Sequence, residues 1–167
     1  KIVMLGNPLP VVDNPLRLAE ELAMIDCISR GRLVSGFVRG GGVESLANSV
    51  NPAHNRERFE EAHDVILASW TRPGPFRWEG KHFQYRVINP WALPLQKPHP
   101  PIMVPGTASP ETVVWAAQHR YPYIVLGSFL EQTQELIQIY RETAEAEGYE
   151  MQPEHIGYLI RVFVADS

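Results

Sequence analysis

Glycine marks the ends of four apolar runs in this sequence: Gly6-Asn7, Arg39-Gly40-Gly41-Gly42, Gly106-Thr107-Ala108-Ser109 and Gly127-Ser128. Glycine lets backbone approach a ligand closely and accepts dihedrals that other residues avoid. Thr107 to Ser109 lead into Pro110-Glu111, the start of a helix, and the free N–H groups and dipole of such a terminus favour an anion. Arg39 follows an apolar run and Arg56 opens a helical pattern; each can give a phosphate two parallel hydrogen bonds. A phosphate carrying a bulky planar head suits that set. Plainer readings stand beside these: Ser109 as a simple N-cap, and Arg56 as a solvent-facing helix charge.

Other chemistries find less support. The run Ser35-Gly36-Phe37-Val38-Arg39-Gly40-Gly41-Gly42 does not match G-x-G-x-x-G, and G-x-x-x-x-G-K-[ST] is absent, so nicotinamide and triphosphate sites of those types are not indicated. The six histidines show no H-E-x-x-H or other metal-ligand spacing, and no metal is expected. His63 lies beside an apolar helix face and reads as structural, while His99 shapes a Pro-rich turn. Cys27, the single cysteine, reads as a core or interface thiol; no disulfide framework or Cys-based zinc site can form. No Ser-His-Asp or Cys-His arrangement can be argued from the spacing.

Composition bounds the remaining classes. The chain has 167 residues, 44% hydrophobic and 20% charged, ordinary values for a globular domain with a real core. No apolar run approaches the roughly 20 residues of a membrane-spanning helix. The net charge of −4 and scattered Lys and Arg disfavour nucleic-acid binding by phosphate attraction. The low cysteine usage fits a reducing compartment, and a cytoplasmic protein is expected.

The positioning elements alternate. Residues 1–5 read as a buried strand. Asn14-Pro15 starts a helix to about Arg30, with Leu18, Leu22 and Ile25 on one side, Arg17, Glu20 and Glu21 on the other, and Gly31 as its C-cap. Residues 33–38 are a second strand. A Gly- and Asn-rich loop at 40–55, either a lid or a surface loop, precedes a helix over 55–70 with Phe59, Ala62, Ile66 and Trp70 at helical spacing. The segment FRWEGKHFQYRV reads as a hairpin turning at Glu79-Gly80. Strands follow at 101–106, 123–128 and 158–164, with helices from Ser109 to about His119 and over 131–147. The second of these helices turns Leu136, Ile137, Tyr140 and Ala144 inward, and Gly148 ends it. Nearly continuous apolar strands imply cover on both faces, hence a parallel α/β sheet, either doubly wound or part of an eight-stranded barrel. Periodicity does not choose between them. Strands at both extreme ends lead us to expect a fragment.

The ordered set Asn14-Pro15-Leu16-Arg17-Leu18-Ala19-Glu20-Glu21, Asp26, Ser29-Arg30-Gly31-Arg32-Leu33, Arg39-Gly40, Arg56-Glu57-Arg58-Phe59-Glu60-Glu61-Ala62, Pro98-His99-Pro100-Pro101-Ile102 and Trp115-Ala116-Ala117-Gln118 resembles the bacterial luciferase-like flavin-dependent monooxygenases. The final part, through residues 145–149, is similar to the alkanal monooxygenase branch. The resemblance implies part of a single TIM (β/α)8 barrel domain over 1–167, about barrel strands 3 to 7, plus a small hairpin insertion, with strands 1, 2 and 8 missing. It implies reduced FMN as bound cofactor. Arg39 and Arg56 match arginines that hold the flavin phosphate, with Gly40 beside the first, and Gly106-Thr107 and Ser109 match a loop giving further phosphate contacts. Gly6-Asn7 aligns with a non-prolyl cis peptide that supports the isoalloxazine ring, and Gly127-Ser128 with a strand end near it. Luciferases place a reactive cysteine just before the phosphate arginine, where this sequence has Val38. The catalytic histidine of the family comes from a segment after barrel strand 2, so no catalytic residue is assigned here.

The activity so implied is a two-component FMN-dependent monooxygenase. A separate flavin reductase would supply reduced FMN, and molecular oxygen would oxidise a small organic substrate such as an aldehyde. A homo- or heterodimer is expected, with the Leu18/Leu22/Ile25 helix facing a partner subunit, and neither nucleic acid nor membrane as a partner. A deazaflavin-dependent oxidoreductase and a non-catalytic flavin-binding relative are the alternatives.

Overall fold

The computed structural model describes residues 1–160 and 162–165. The chain forms two compact units, Lys1–Pro101 and Ile102–Ser167. In the first, β1 (Ile2–Pro8) lies parallel to β2 (Leu33–Val38), and α1 (Pro15–Ile28) makes the crossover. Asn14 caps α1 by accepting the Arg17 N–H at 3.2 Å, and Pro15 takes the first helical position. Behind β2 come a short helix α2 (Gly42–Ala47), the long helix α3 (Asn55–Thr71) and an antiparallel hairpin of β3 (Phe76–Glu79) and β4 (Gln84–Ile88).

The core of this unit is helix against strand. Phe37 on β2 is fully buried and stacks on Trp70 of α3 with ring centroids 6.5 Å apart. Trp70 satisfies its indole N–H on the Ala19 carbonyl of α1 at 2.9 Å, so one aromatic side chain fills the core and ties two helices together. Asp26 is completely buried on α1, and both its oxygens accept hydrogen bonds from Gln96, at 2.9 Å from the backbone and 2.7 Å from the side chain. A buried carboxylate needs such partners, and these anchor the Pro-rich connector along α1.

In the second unit β5 (Ile102–Gly106), β6 (Tyr123–Leu126) and β7 (Ile156–Leu159) pair in parallel, joined by α4 (Pro110–Gln118) and α5 (Leu130–Ala146). Tyr140 on α5 donates to the Tyr121 carbonyl at 3.0 Å, and Tyr149 donates to the Ala117 carbonyl at 2.6 Å. These two hydroxyls join the end of α4 to α5.

The α/β class and the strand–helix order agree with the sequence reading, and several details differ. The face of α1 that is buried carries Pro15, Ala19, Leu22, Ala23 and Asp26. Leu18 and Ile25 flank that stripe and are only half-buried. Small residues let α1 approach closely, so the packed stripe does not follow the largest side chains. β1 is not covered on both faces: Val3 is 52% exposed, and Ile2, Met4 and Leu5 are exposed too. β7 starts at Ile156 and ends at Leu159, ahead of the strand expected over 158–164. Of that stretch, Arg161 lies outside the described residues, as do Asp166 and Ser167 at the end of the chain. The 40–55 segment is neither a bare loop nor all coil, because α2 and a 3-10 turn at Pro52–His54 occupy it. Buried Ser45 accepts a hydrogen bond from the Asn55 amide at 2.7 Å and so fixes α2 to the start of α3.

Candidate functional site

In the first unit the strand ends of β1 and β2 bring four of the expected residues together. Asn7 pairs in register with Phe37, and Pro8 with Val38. The Asn7 side-chain amide donates to the Gly36 carbonyl at 2.9 Å. Arg39 follows directly, half-buried, and no ion pair of Arg39 occurs among the described residues. Gly40 has a φ of +70°, the left-handed region that a side chain rarely tolerates, and a Cβ there would lie 3.4 Å from Pro8 Cβ. The chain therefore turns sharply at the base of Arg39. Arg56 is at the start of α3 with its side chain 29% exposed, its Nε 3.5 Å from Glu60 Oε1 one turn on. That contact is an ordinary helix ion pair.

The Gly6-Asn7 peptide departs from expectation. The cis bonds among the described residues are Gly74-Pro75 and Lys97-Pro98, both before proline. A cis bond before a residue other than proline costs about 3–4 kcal/mol. The β1–β2 register shifts between Met4 and Asn7, the mark of a bulge that re-aims a strand end. The bulge presses the Leu5 carbonyl onto Gly36, where a Cβ would lie 2.0 Å from that oxygen. Gly36 is not among the expected site residues. An isolated glycine inside an apolar strand is its signal, because it marks a bulge or close backbone approach.

The second unit places Gly106 at the end of β5, in register with Val125. Thr107 is exposed, and Ser109 lies at the N-cap of α4 without capping it. The Ser109 hydroxyl instead donates to Glu111 Oε2 at 2.9 Å, which places a carboxylate in the first turn of the helix. Gly127 has a φ of +63° and open space where a Cβ would stand. Ser128 is committed structurally: its hydroxyl bonds Thr133 Oγ1 at 2.6 Å and its carbonyl accepts from Tyr158 at 2.8 Å. Tyr123 is an unforeseen member. Its hydroxyl is buried without a partner, and a Cβ on Gly106 would lie 2.6 Å from it. Burial pushes that phenol up to about 12, so it is a neutral donor at any ordinary pH.

This chemistry fits a phosphate-bearing planar cofactor in part. In the first unit Arg39 supplies a cation and Gly40 the turn beneath it. In the second, Tyr123 is an unused buried donor beside a side-chain-free strand end. Against that fit stand the Glu111 carboxylate beside Ser109 and the Glu60 partner of Arg56.

A third cluster, largely exposed, lies within the first unit. His54, Glu57 and His82 each bring a ligand atom within 4.8 Å of the other two. Sequence spacing could not find it, since His82 is 25 residues from Glu57 and arrives by way of the hairpin.

Parallel strands crossed by helices, with glycine and arginine at the strand ends, define a class of α/β proteins that bind ligands at the carboxyl edge of the sheet. The chain belongs to the luciferase-like monooxygenase family, which it matches over residues 6–167. It is 33% identical over 107 residues to the uncharacterized protein y4wF of Sinorhizobium fredii, covering 64% of this chain and 31% of that protein. Among solved structures it superposes on the monooxygenase RslO1 from Streptomyces bottropensis with a TM-score of 0.80 at 30% identity, over 95% of this chain and 48% of that one. It superposes also on the oxygenating constituent of 3,6-diketocamphane monooxygenase of Pseudomonas putida in complex with FMN, with a TM-score of 0.85 at 20% identity, over 99% and 49% of the two chains. An F420-dependent secondary alcohol dehydrogenase matches with a TM-score of 0.72 at 17% identity, over 87% and 44%. The chain thus spans about a third of the curated relative and about half of the structures that it matches. Among the described residues no helix is long and apolar enough to cross a membrane.

Proposed function

We propose that this chain forms the flavin-phosphate-holding part of an FMN-dependent monooxygenase, corresponding to strands 3 to 7 of a TIM barrel. The observation that carries the reading is Arg39: a half-buried guanidinium at a strand end, with no ion pair among the described residues, on a turn that Gly40 makes possible. Arg39 would bind the phosphate bidentately, and Asn7, its amide already anchored on Gly36, would present backbone and side chain beside the ring. Gly106, Thr107, Ser109, Gly127 and Ser128 belong to the same reading as further flavin contacts, and Arg56 joins it by releasing Glu60. Bound FMN, when reduced, would supply the electrons with which molecular oxygen oxidises a small organic substrate such as an aldehyde.

A separate reductase, a cytoplasmic setting and a dimer belong to this proposal as well. Met24 and Ile28 on α1 are exposed, which favours a subunit contact on that helix. The likeness to an F420-dependent dehydrogenase favours a second reading, hydride transfer through a deazaflavin, because an arginine at this position would serve the phosphate of either cofactor.

The test is a titration of oxidised FMN, then of anaerobically reduced FMN and of F420, into the full protein and into Arg39→Ala. Loss of a charge-assisted contact costs about 1.5–3 kcal/mol, or roughly 10- to 150-fold in affinity. FMN binding weakened by that factor supports the reading. Binding of F420 alone moves the assignment to hydride transfer, and FMN binding indifferent to Arg39→Ala removes Arg39 from the site.

A further inference from the structure

His54, Glu57 and His82 form a side-chain cluster that the flavin reading leaves unused. His54 stands at the N-terminal boundary of α3, Glu57 lies in its first turn, and His82 is in the turn between β3 and β4. His82 Nε2 is 2.9 Å and His54 Nδ1 is 3.7 Å from the same oxygen, Glu57 Oε2. The two imidazole rings lie 5.5 Å apart between centroids. Zinc–nitrogen and zinc–oxygen bonds of about 2.0–2.2 Å put tetrahedral ligand atoms roughly 3.3–3.5 Å apart. The cluster needs only small side-chain rotations to reach that spacing, and His54 and Glu57 are exposed enough to make them.

We propose that His54, Glu57 and His82 bind a divalent transition-metal ion of the zinc class, which clips the β3–β4 hairpin to the start of α3. Two imidazoles and a carboxylate are the donors such an ion takes, with water completing the shell. The site is preset by a neighbour. Glu61, one turn along α3, accepts the backbone N–H groups of His82 at 2.8 Å and Phe83 at 3.0 Å. His82 is thereby held over the helix before any ion arrives. Lys81 is the competitor: its ammonium lies 2.9 Å and 2.8 Å from the two Glu57 oxygens. That side chain is 66% exposed, and an exposed ion pair holds weakly enough for a divalent ion to displace it.

The experiment titrates Zn(II) into the chelator-stripped full chain by calorimetry, with Co(II) as a spectroscopic substitute. We expect one equivalent to bind. His54→Gln and His82→Gln should each weaken binding by about 100-fold or more, since even outer-shell partners are worth roughly 10- to 100-fold. Lys81→Gln should tighten it by about 1.5- to 5-fold, the share of an exposed ion pair. Zinc should also raise the melting temperature, and His82→Gln should abolish that shift. His54→Gln alters an exposed side chain and keeps the test valid if His82→Gln perturbs folding. Absence of saturable Zn(II) binding overturns the proposal, as does binding of equal affinity in both histidine variants, which would put the ion elsewhere.

Discussion

At the scale of single residues, Gly36 is the most constrained position in the candidate site. Its φ is not in the left-handed region, so the demand is purely one of space. A methyl group would fall 2.0 Å from the Leu5 carbonyl oxygen and 2.5 Å from its carbon. Both are backbone atoms in a bulge, and neither can rotate away. Gly36→Ala must then separate β1 from β2 or flatten the bulge. Overpacking typically costs about 1–3 kcal/mol, and because every atom met is backbone of Met4 and Leu5 we expect the upper end of that range, read from urea denaturation. The same variant should lose FMN affinity, because the Asn7 amide hangs on the Gly36 carbonyl. Gly6 makes the contrast: a Cβ there meets Val38 Cγ1 at 3.2 Å, a side-chain atom that can give by a few tenths of an ångström. Gly6→Ala should therefore be much the milder change in the same denaturation series.

At the scale of elements, the hairpin is held on α3 by two carboxylates a turn apart. Glu61 takes the backbone of the turn and the Trp78 indole N–H, and Glu57 takes Lys81 and His82. The bonds to Lys81 and His82 draw the Glu57 carboxyl down to about 2 from an ordinary 4.5. A lowered carboxyl pKa stabilises the fold above the unfolded value and ceases to do so as pH falls through the folded one. The contribution of Glu57 should thus be intact above about pH 5 and fade between pH 4.5 and 2. The protection of residues 76–88 against hydrogen exchange, corrected for the intrinsic rate at each pH, should fall over that window, and Glu57→Gln should show the lower protection already at neutral pH. A hairpin equally protected in Glu57→Gln under those conditions would show that Glu61 alone holds it. The hairpin itself is legible in the sequence, since aromatic and charged residues alternate about Glu79-Gly80. Its seat on α3 is not, because Glu57 and Glu61 look like any acidic residues on a solvated helix face. The same limit applies elsewhere. Caps and strand ends follow from local sequence, as at Asn14-Pro15. Which face of α1 packs, or that a bulge stands where a cis peptide is expected, depends on close approaches such as Leu5 to Gly36 that spacing does not encode.

At the scale of the whole molecule, family membership fixes less than the fold does. The solved structures of similar fold named above include one in complex with FMN and one in complex with an F420 adduct, and a shared fold hosts different chemistries. Linkage gives a way to separate them on the intact chain. A ligand that binds only the folded state stabilises it by about 2.7 kcal/mol at a hundredfold excess over its dissociation constant. For a chain of this size each kcal/mol moves the melting temperature by roughly 2–4 °C. Saturating FMN should accordingly raise it by roughly 5–10 °C, and Arg39→Ala at the same FMN concentration should lose most of that shift. Reduced FMN should further consume oxygen faster in the presence of protein and a suitable organic acceptor than with protein alone. If F420 gives the thermal shift and FMN does not, the chain serves hydride transfer and oxygen uptake should stay at the background rate. If FMN stabilises the chain without acceptor-dependent oxygen uptake, these residues bind flavin while the groups that turn it over lie elsewhere.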